Sequence, residues 1–224
     1  MAVHLRRRDS AAVRLRARSV VTLPLKGHTM NSPIAADLSA PTVQGLHHFA
    51  WRCRDAEETR HFYEDLIGLP LVHVIRLDHV PSTGEYCPYV HIFFEMGDGS
   101  YIAFFDLGDD VSALPSPNTP AWVNHIALQV DSLDRLMALK ARLEAAGVDV
   151  LGVTDHHIVK SIYFFDPNGF RVELTVRTVS DEDMKSHARV AHADLAKWVT
   201  DKAQLRATAG VSSATAPSAN AQGH

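Results

Sequence analysis

Two stretches decide how this chain is read: Leu46-His47-His48-Phe49-Ala50-Trp51-Arg52-Cys53-Arg54-Asp55 and Val123-Asn124-His125-Ile126-Ala127-Leu128-Gln129-Val130-Asp131-Ser132. Each is an apolar, strand-like run with a histidine in third place and an alanine two residues later. Each closes on an aspartate, Asp55 or Asp131. Self-similarity at this spacing marks a duplicated unit.

The surroundings repeat as well. An amphipathic helical stretch follows each run, over 56–66 and 133–146, and each stops at a glycine (Gly68, Gly147), the residue that ends helices most readily. Three strand-like runs follow in each half: 71–77, 89–96 and 101–107, then 148–153, 159–165 and 170–176. Gly97-Asp98-Gly99 and Asp166-Pro167-Asn168-Gly169 supply the turns before the last strand of each half. The expected fold is α+β: two βαβββ modules, about 45–108 and 121–178, forming one curved mixed-sheet cup around a metal. A linker rich in Pro and Asp, about 108–120, joins them.

Outward from this core, at 43–178, the composition changes. Up to His28 there are seven Lys/Arg and one acid, Asp9. Residues 1–42 are expected to be a disordered basic extension, because such composition buries too little apolar surface to offset its ordering entropy. They read either as an organelle-targeting peptide or as an upstream extension ahead of Met30, with the extension preferred. A C-terminal helix is expected over 179–200, with Met184, Val190, Leu195 and Trp198 to pack on the domain or a partner subunit. The Ala/Ser/Thr-rich stretch 201–224 is expected to be a disordered tail.

Of the 224 residues, 46% are hydrophobic and 21% charged, so a true core is affordable. Net charge is −4 and mean hydropathy −0.07, which point to neither nucleic acid nor a membrane. Cys53 and Cys87 are too few for a disulfide scaffold and too isolated for a zinc ribbon, which fits a reducing, cytoplasmic setting.

Strand parity selects the candidate ligands, because successive side chains point to opposite faces. Ile126, Leu128 and Val130 form an apolar face, so His125 turns away from it. The same parity separates His48 from Phe49 and Trp51, and Glu173 from Val172 and Leu174. Two imidazoles and a carboxylate match the facial triad typical of non-haem Fe(II), and Mn(II) or another divalent ion accepts the same donors. A single strand histidine is more often a core or surface residue than a ligand. Repeat-equivalent placement of three donors favours metal.

The span Gly45 to Thr178 resembles the vicinal oxygen chelate superfamily of glyoxalases, bleomycin-resistance proteins and extradiol ring-cleaving dioxygenases. The matching motifs are Leu-His-His-Phe-Ala at 46–50, Phe62-Tyr63 ahead of Leu66-Ile67-Gly68-Leu69, Asn124-His125-Ile126-Ala127, and Tyr163-Phe164-Phe165-Asp166-Pro167-Asn168-Gly169 leading into Arg171-Val172-Glu173-Leu174. The resemblance implies that His48, His125 and Glu173 bind the metal. Glyoxalase-like members carry a fourth ligand at the repeat mate of Glu173, where this chain has Ala103. Three ligands suit the single-domain extradiol branch, where a chelating diol and O₂ fill the remaining positions.

That branch implies Tyr163 as a substrate-binding residue and His91 as an acid/base near O₂, with Phe93 and Phe105 enclosing the ring. Its further histidine ahead of the tyrosine has no clean match, since His156 and His157 are out of step. The implied function is Fe(II)-dependent cleavage of a small aromatic diol with O₂, in aromatic hydrocarbon catabolism, by a homodimer or higher homo-oligomer. The alternatives are a glyoxalase-like isomerase or lyase, a metal-dependent thiol transferase, and a non-enzymatic binder of the bleomycin-resistance kind.

Overall fold

A computed structural model describes residues 43–214, with side chains through 206. The basic extension at 1–42 and the end of the tail, 215–224, lie outside the described residues.

The first module begins with β1 (His48–Cys53) and the short helix α1 (Ala56–Arg60), which continues as a π-helical stretch over His61–Ile67. The strands β2 (Leu71–His79), β3 (Tyr86–Glu95) and β4 (Tyr101–Asp106) follow. The second module repeats the order with β5 (Ile126–Gln129), α2 (Leu133–Ala145), β6 (Leu151–Asp155), β7 (Val159–Phe165) and β8 (Arg171–Arg177). A long helix, α3 (Asp181–Ala214), closes the chain.

Local chemistry explains the boundaries. The Asp55 carboxylate accepts from the Glu58 amide at 2.6 Å and Ser132 Oγ from the Arg135 amide at 3.2 Å, satisfying helix-start donors that otherwise lack partners. Leu136, Leu139 and Leu143 lie on one stripe of α2 and are buried. The turns into β4 and β8 use Gly99 and Gly169 at φ 83° and 75°, a region that penalises any Cβ. The π-helical stretch was not expected from the 3.6-residue periodicity. α3 also runs on past the expected end near residue 200, because Ala203, Gln204, Leu205 and Arg206 are strong helix formers.

Each module forms its own four-stranded mixed sheet, ordered β1-β4-β3-β2 and β5-β8-β7-β6. The register makes the repeat explicit: Ala50 pairs with Ala103 where Ala127 pairs with Glu173, and Phe93 pairs with Ala103 where Tyr163 pairs with Glu173. The βαβββ modules are therefore as expected, but within one chain their sheets are not closed into a single cup.

The modules interlock behind the sheets. Phe170 stacks on Phe49 and Trp51 with ring centroids 5.2 and 4.7 Å apart, and Phe62 meets Phe164. One core cluster contains Phe94, Ile102 and Phe104 of the first module with Leu136, Ile162 and Leu174 of the second. A buried polar clasp joins the same surfaces. Tyr63 donates to Asp166 Oδ2 at 3.1 Å, Asn168 Nδ2 donates to Thr59 Oγ1 at 3.2 Å, and the Arg54 amide donates to Asn168 Oδ1 at 3.0 Å. Among the described residues no helix is long and apolar enough to cross a membrane. Cys53 is buried, and burial pushes its thiol up to about 11, so it serves the core rather than redox chemistry.

Candidate metal centre and its two halves

The second module gathers a polar cluster on the face of its sheet opposite α2. Glu173 is buried at 6% exposure on β8. One carboxylate oxygen, Oε2, lies 3.0 Å from His125 Nε2, and the other accepts from the Tyr163 hydroxyl at 3.2 Å. His125 donates from Nδ1 to the Val123 carbonyl at 2.9 Å. Its Nε2 is then the nitrogen that faces the carboxylate, an arrangement that a proton on the ring or a cation between the two groups would satisfy. Their spacing matches adjacent corners of an octahedron with metal–ligand bonds of about 2.1 Å. The hydrogen bond to a carbonyl is also how proteins fix a ligating imidazole.

His125 does not sit within a strand, as strand parity had placed it, but just before β5. Its orientation comes from the Val123 carbonyl instead.

Tyr163 is held from three sides. His156 Nε2 lies 2.6 Å from its hydroxyl, Glu173 accepts from that hydroxyl, and the Arg171 guanidinium stands 4.6 Å over the ring. Burial, and then the neighbouring Glu173 charge, push the phenol above its ordinary pKa, so it keeps its proton as a donor. His156 is the residue that the motif comparison set aside as out of step, and the structure puts it against the phenol. It lies at the β6–β7 hairpin turn, after a β-bulge between Leu151 and Thr154 that breaks the simple count. Its spacing from Tyr163 carried no signal without that turn geometry.

The first module gathers its own cluster on the corresponding face. His48 lies within ring contact of His91 and Phe93, at 6.0 and 5.6 Å between centroids. His91 is buried, stacks on Phe105 at 3.6 Å, and hydrogen bonds through Nδ1 to the Phe104 carbonyl at 3.1 Å. Burial is the main influence lowering its pKa, so the ring favours its neutral form. His73 is exposed on β2 with its ring 5.6 Å from Phe93. His47 contacts His48, Nδ1 to Nδ1, at 2.8 Å.

The structure therefore brings His125, Glu173 and Tyr163 together, and separately His48 and His91. It does not bring the two groups together. Among the described residues no three His, Cys, Asp or Glu side chains lie close enough to share a metal ion. Within one chain, the three expected ligands do not fit a metal as a set.

The model of the glyoxalase/bleomycin resistance protein/dioxygenase superfamily matches residues 45–174, and the chain belongs to that superfamily. Two curated relatives are similar over most of the chain. The biphenyl-2,3-diol 1,2-dioxygenase of Metapseudomonas furukawaii is 32% identical over 174 residues, 74% of this chain and 51% of the relative. That of Paraburkholderia xenovorans (strain LB400) is 31% identical over 172 residues, 73% of this chain and 52% of the relative. The chain thus spans about half the length of these relatives. A solved glyoxylase/bleomycin resistance protein/dioxygenase domain from Frankia sp. EAN1pec shares the fold, with a TM-score of 0.50 at 16% identity over 61% of this chain and 100% of that one.

Proposed function

We propose that this chain is a metal-dependent dioxygenase of the extradiol type, opening an aromatic ring beside a vicinal diol with O₂. The observation that carries the reading is the Glu173 carboxylate, buried with one oxygen facing His125 and the other bound by Tyr163. A buried charge so placed is costly unless a cation or donors compensate it. Fe(II) is the metal this reading calls for, with Mn(II) as the alternative. Ala103 at the register of Glu173 supports a three-ligand set over the four-ligand isomerases. The two similar biphenyl-diol dioxygenases support the choice of substrate class.

The chain's own groups have definable tasks. Tyr163 holds a proton on its hydroxyl and offers it to a substrate oxygen, with His156 as the group that exchanges that proton. Arg171, stacked over the phenol, places positive charge where an anionic diol would sit. His91, favouring its neutral form and packed against Phe93 and Phe105, is a base beside His48 on the other sheet, apart from the Tyr163 cluster.

The test is to load the full chain anaerobically with Fe(II), add catechol or biphenyl-2,3-diol, and admit air. We expect O₂ uptake matched by a yellow ring-opened product, both lost in Glu173→Gln. Protein that binds the metal but consumes no O₂ with either diol would overturn the assignment and favour an isomerase, lyase or thiol transferase.

A further inference from the structure

We propose that α3 pairs with the α3 of a second copy of the chain as a parallel coiled coil, an interface separate from both sheets and from any metal. The helix is fastened at its start, where Arg177 pairs with Asp181 at 2.5 Å and Ser180 Oγ accepts from the Asp183 amide at 3.2 Å. Beyond that start, every side chain over 185–200 is exposed. A helix alone in water is marginal, and helices in folded proteins owe most of their stability to an apolar face that packs on something. α3 has such a face. Leu195, Trp198 and Val199 adjoin one another at i, i+3 and i+4 and are 60%, 54% and 61% exposed. Large apolar side chains grouped in this way mark a surface that a partner covers.

The spacing along the helix says what kind of partner fits. Met184, Ala188, Ala191, Leu195, Trp198 and Lys202 follow one another in alternating steps of four and three residues. That is the seven-residue repeat of a left-handed coiled coil, whose seam meets an equivalent seam on a second helix. Ala188 and Ala191 let two backbones approach in the first turns of the seam. Val199 widens the apolar strip beside Leu195, where the bulk of the contact would lie.

Charge selects a second copy as the partner. Over 181–206 the Asp and Glu residues equal the Lys and Arg residues in number, so the helix offers no field to attract nucleic acid or an anionic lipid surface. The charges that border the seam are divided by side. Asp194 and Asp201 lie on one flank, and Lys185, His192 and Arg206 on the other. In a parallel pair each flank meets the opposite flank of the other helix, so Asp201 reaches the partner's Arg206. Lys202, the one charged seam residue, lays its stem along the strip and sets its ammonium beside the partner's Asp201. An antiparallel pair would bring acid to acid and base to base. The helix is thus complementary to itself in one orientation.

Disulfide trapping tests this in the full chain. Cys87→Ala removes the half-buried thiol and leaves the buried Cys53. On that background Ala191→Cys puts a thiol in the seam, and Ala193→Cys puts one on the outer face of the same helix. Both chains are oxidised at micromolar concentration and run on a non-reducing gel. We expect most of the Ala191→Cys chain to become covalent dimer and Ala193→Cys to yield about tenfold less, because its thiols stand beyond disulfide reach. Adding Leu195→Asp and Trp198→Asp to Ala191→Cys should abolish the cross-link while circular dichroism shows the domain still folded, since both side chains are exposed. No cross-link at 191, as when α3 lies on its own domain or the chain dimerises through another surface, overturns the proposal. Equal yield from 191 and 193 does so too. A mixture of Ala191→Cys and Lys202→Cys chains that forms the mixed dimer in preference to the 191–191 dimer overturns the parallel orientation.

Discussion

Glu173 and Tyr163 concentrate the chemistry at the residue scale. The phenol donates to a buried carboxylate and is itself poised against His156, so removing it leaves Glu173 Oε1 without a donor. Tyr163→Phe is expected to lower kcat by about 10²-fold, the usual loss when one oriented hydrogen-bond donor is deleted. Mn(II) content measured alongside should stay near the wild-type value. Its raised pKa adds a pH signature. Phenolate absorbance from Tyr163 should emerge only above about pH 10, the ordinary tyrosine value, so no titration of this group shapes the rate between neutrality and pH 9. A Tyr163→Phe difference titration near 295 nm checks this. His156→Ala should cost less than Tyr163→Phe, because it removes the proton partner and leaves the donor.

The 166–170 turn is the decisive element. Asp166 accepts from the amides of Asn168 and Phe170 at 2.9 and 2.8 Å and receives the Tyr63 hydroxyl, so it ties β8 to the π-helical stretch of the other module. Burial is the largest influence and raises its carboxyl above the ordinary value, against the lowering by those hydrogen bonds. Folded Asp166 therefore keeps its proton to higher pH than the unfolded chain does. Its contribution to stability falls as pH rises from about 3.9, the unfolded value, through the raised folded value, and is constant beyond. Urea midpoints of Asp166→Asn and wild type should accordingly diverge in the variant's favour as pH rises through that window, and a constant difference would refute it. Tyr63→Phe, which removes a fully buried donor, should cost about 1–3 kcal/mol in the same assay. Elements that rest on local signals were legible beforehand: β7 and α2 fall where periodicity and glycine stops put them. The π-helical stretch and the bulge in β6 were not, because each answers to packing across the modules or to a hairpin turn.

Across the whole molecule, the two modules share one core while each keeps its own sheet. Leu136 and Leu143 of α2 are fully buried in the shared core, and Leu136→Ala should destabilise the fold by about 2–5 kcal/mol, read from urea unfolding. The helix α3 is tied to β8 by the Arg177–Asp181 ion pair, and Leu195 and Trp198 on it are 60% and 54% exposed.

From sequence alone followed the duplication, the order of elements, and which residue types line the open face of each sheet. Those properties depend on periods of two and 3.6 residues and on turn residues a few positions apart, and such short-range rules are written in the chain itself. The company each candidate ligand keeps had to come from the tertiary structure. Parity turns His48 and Glu173 away from the apolar faces of their strands, but the relation between two faces is set by long-range packing, by Phe170 against Trp51 and Asp166 against Tyr63. The same packing that makes one continuous core leaves the His125–Glu173 and His48–His91 clusters on separate sheets.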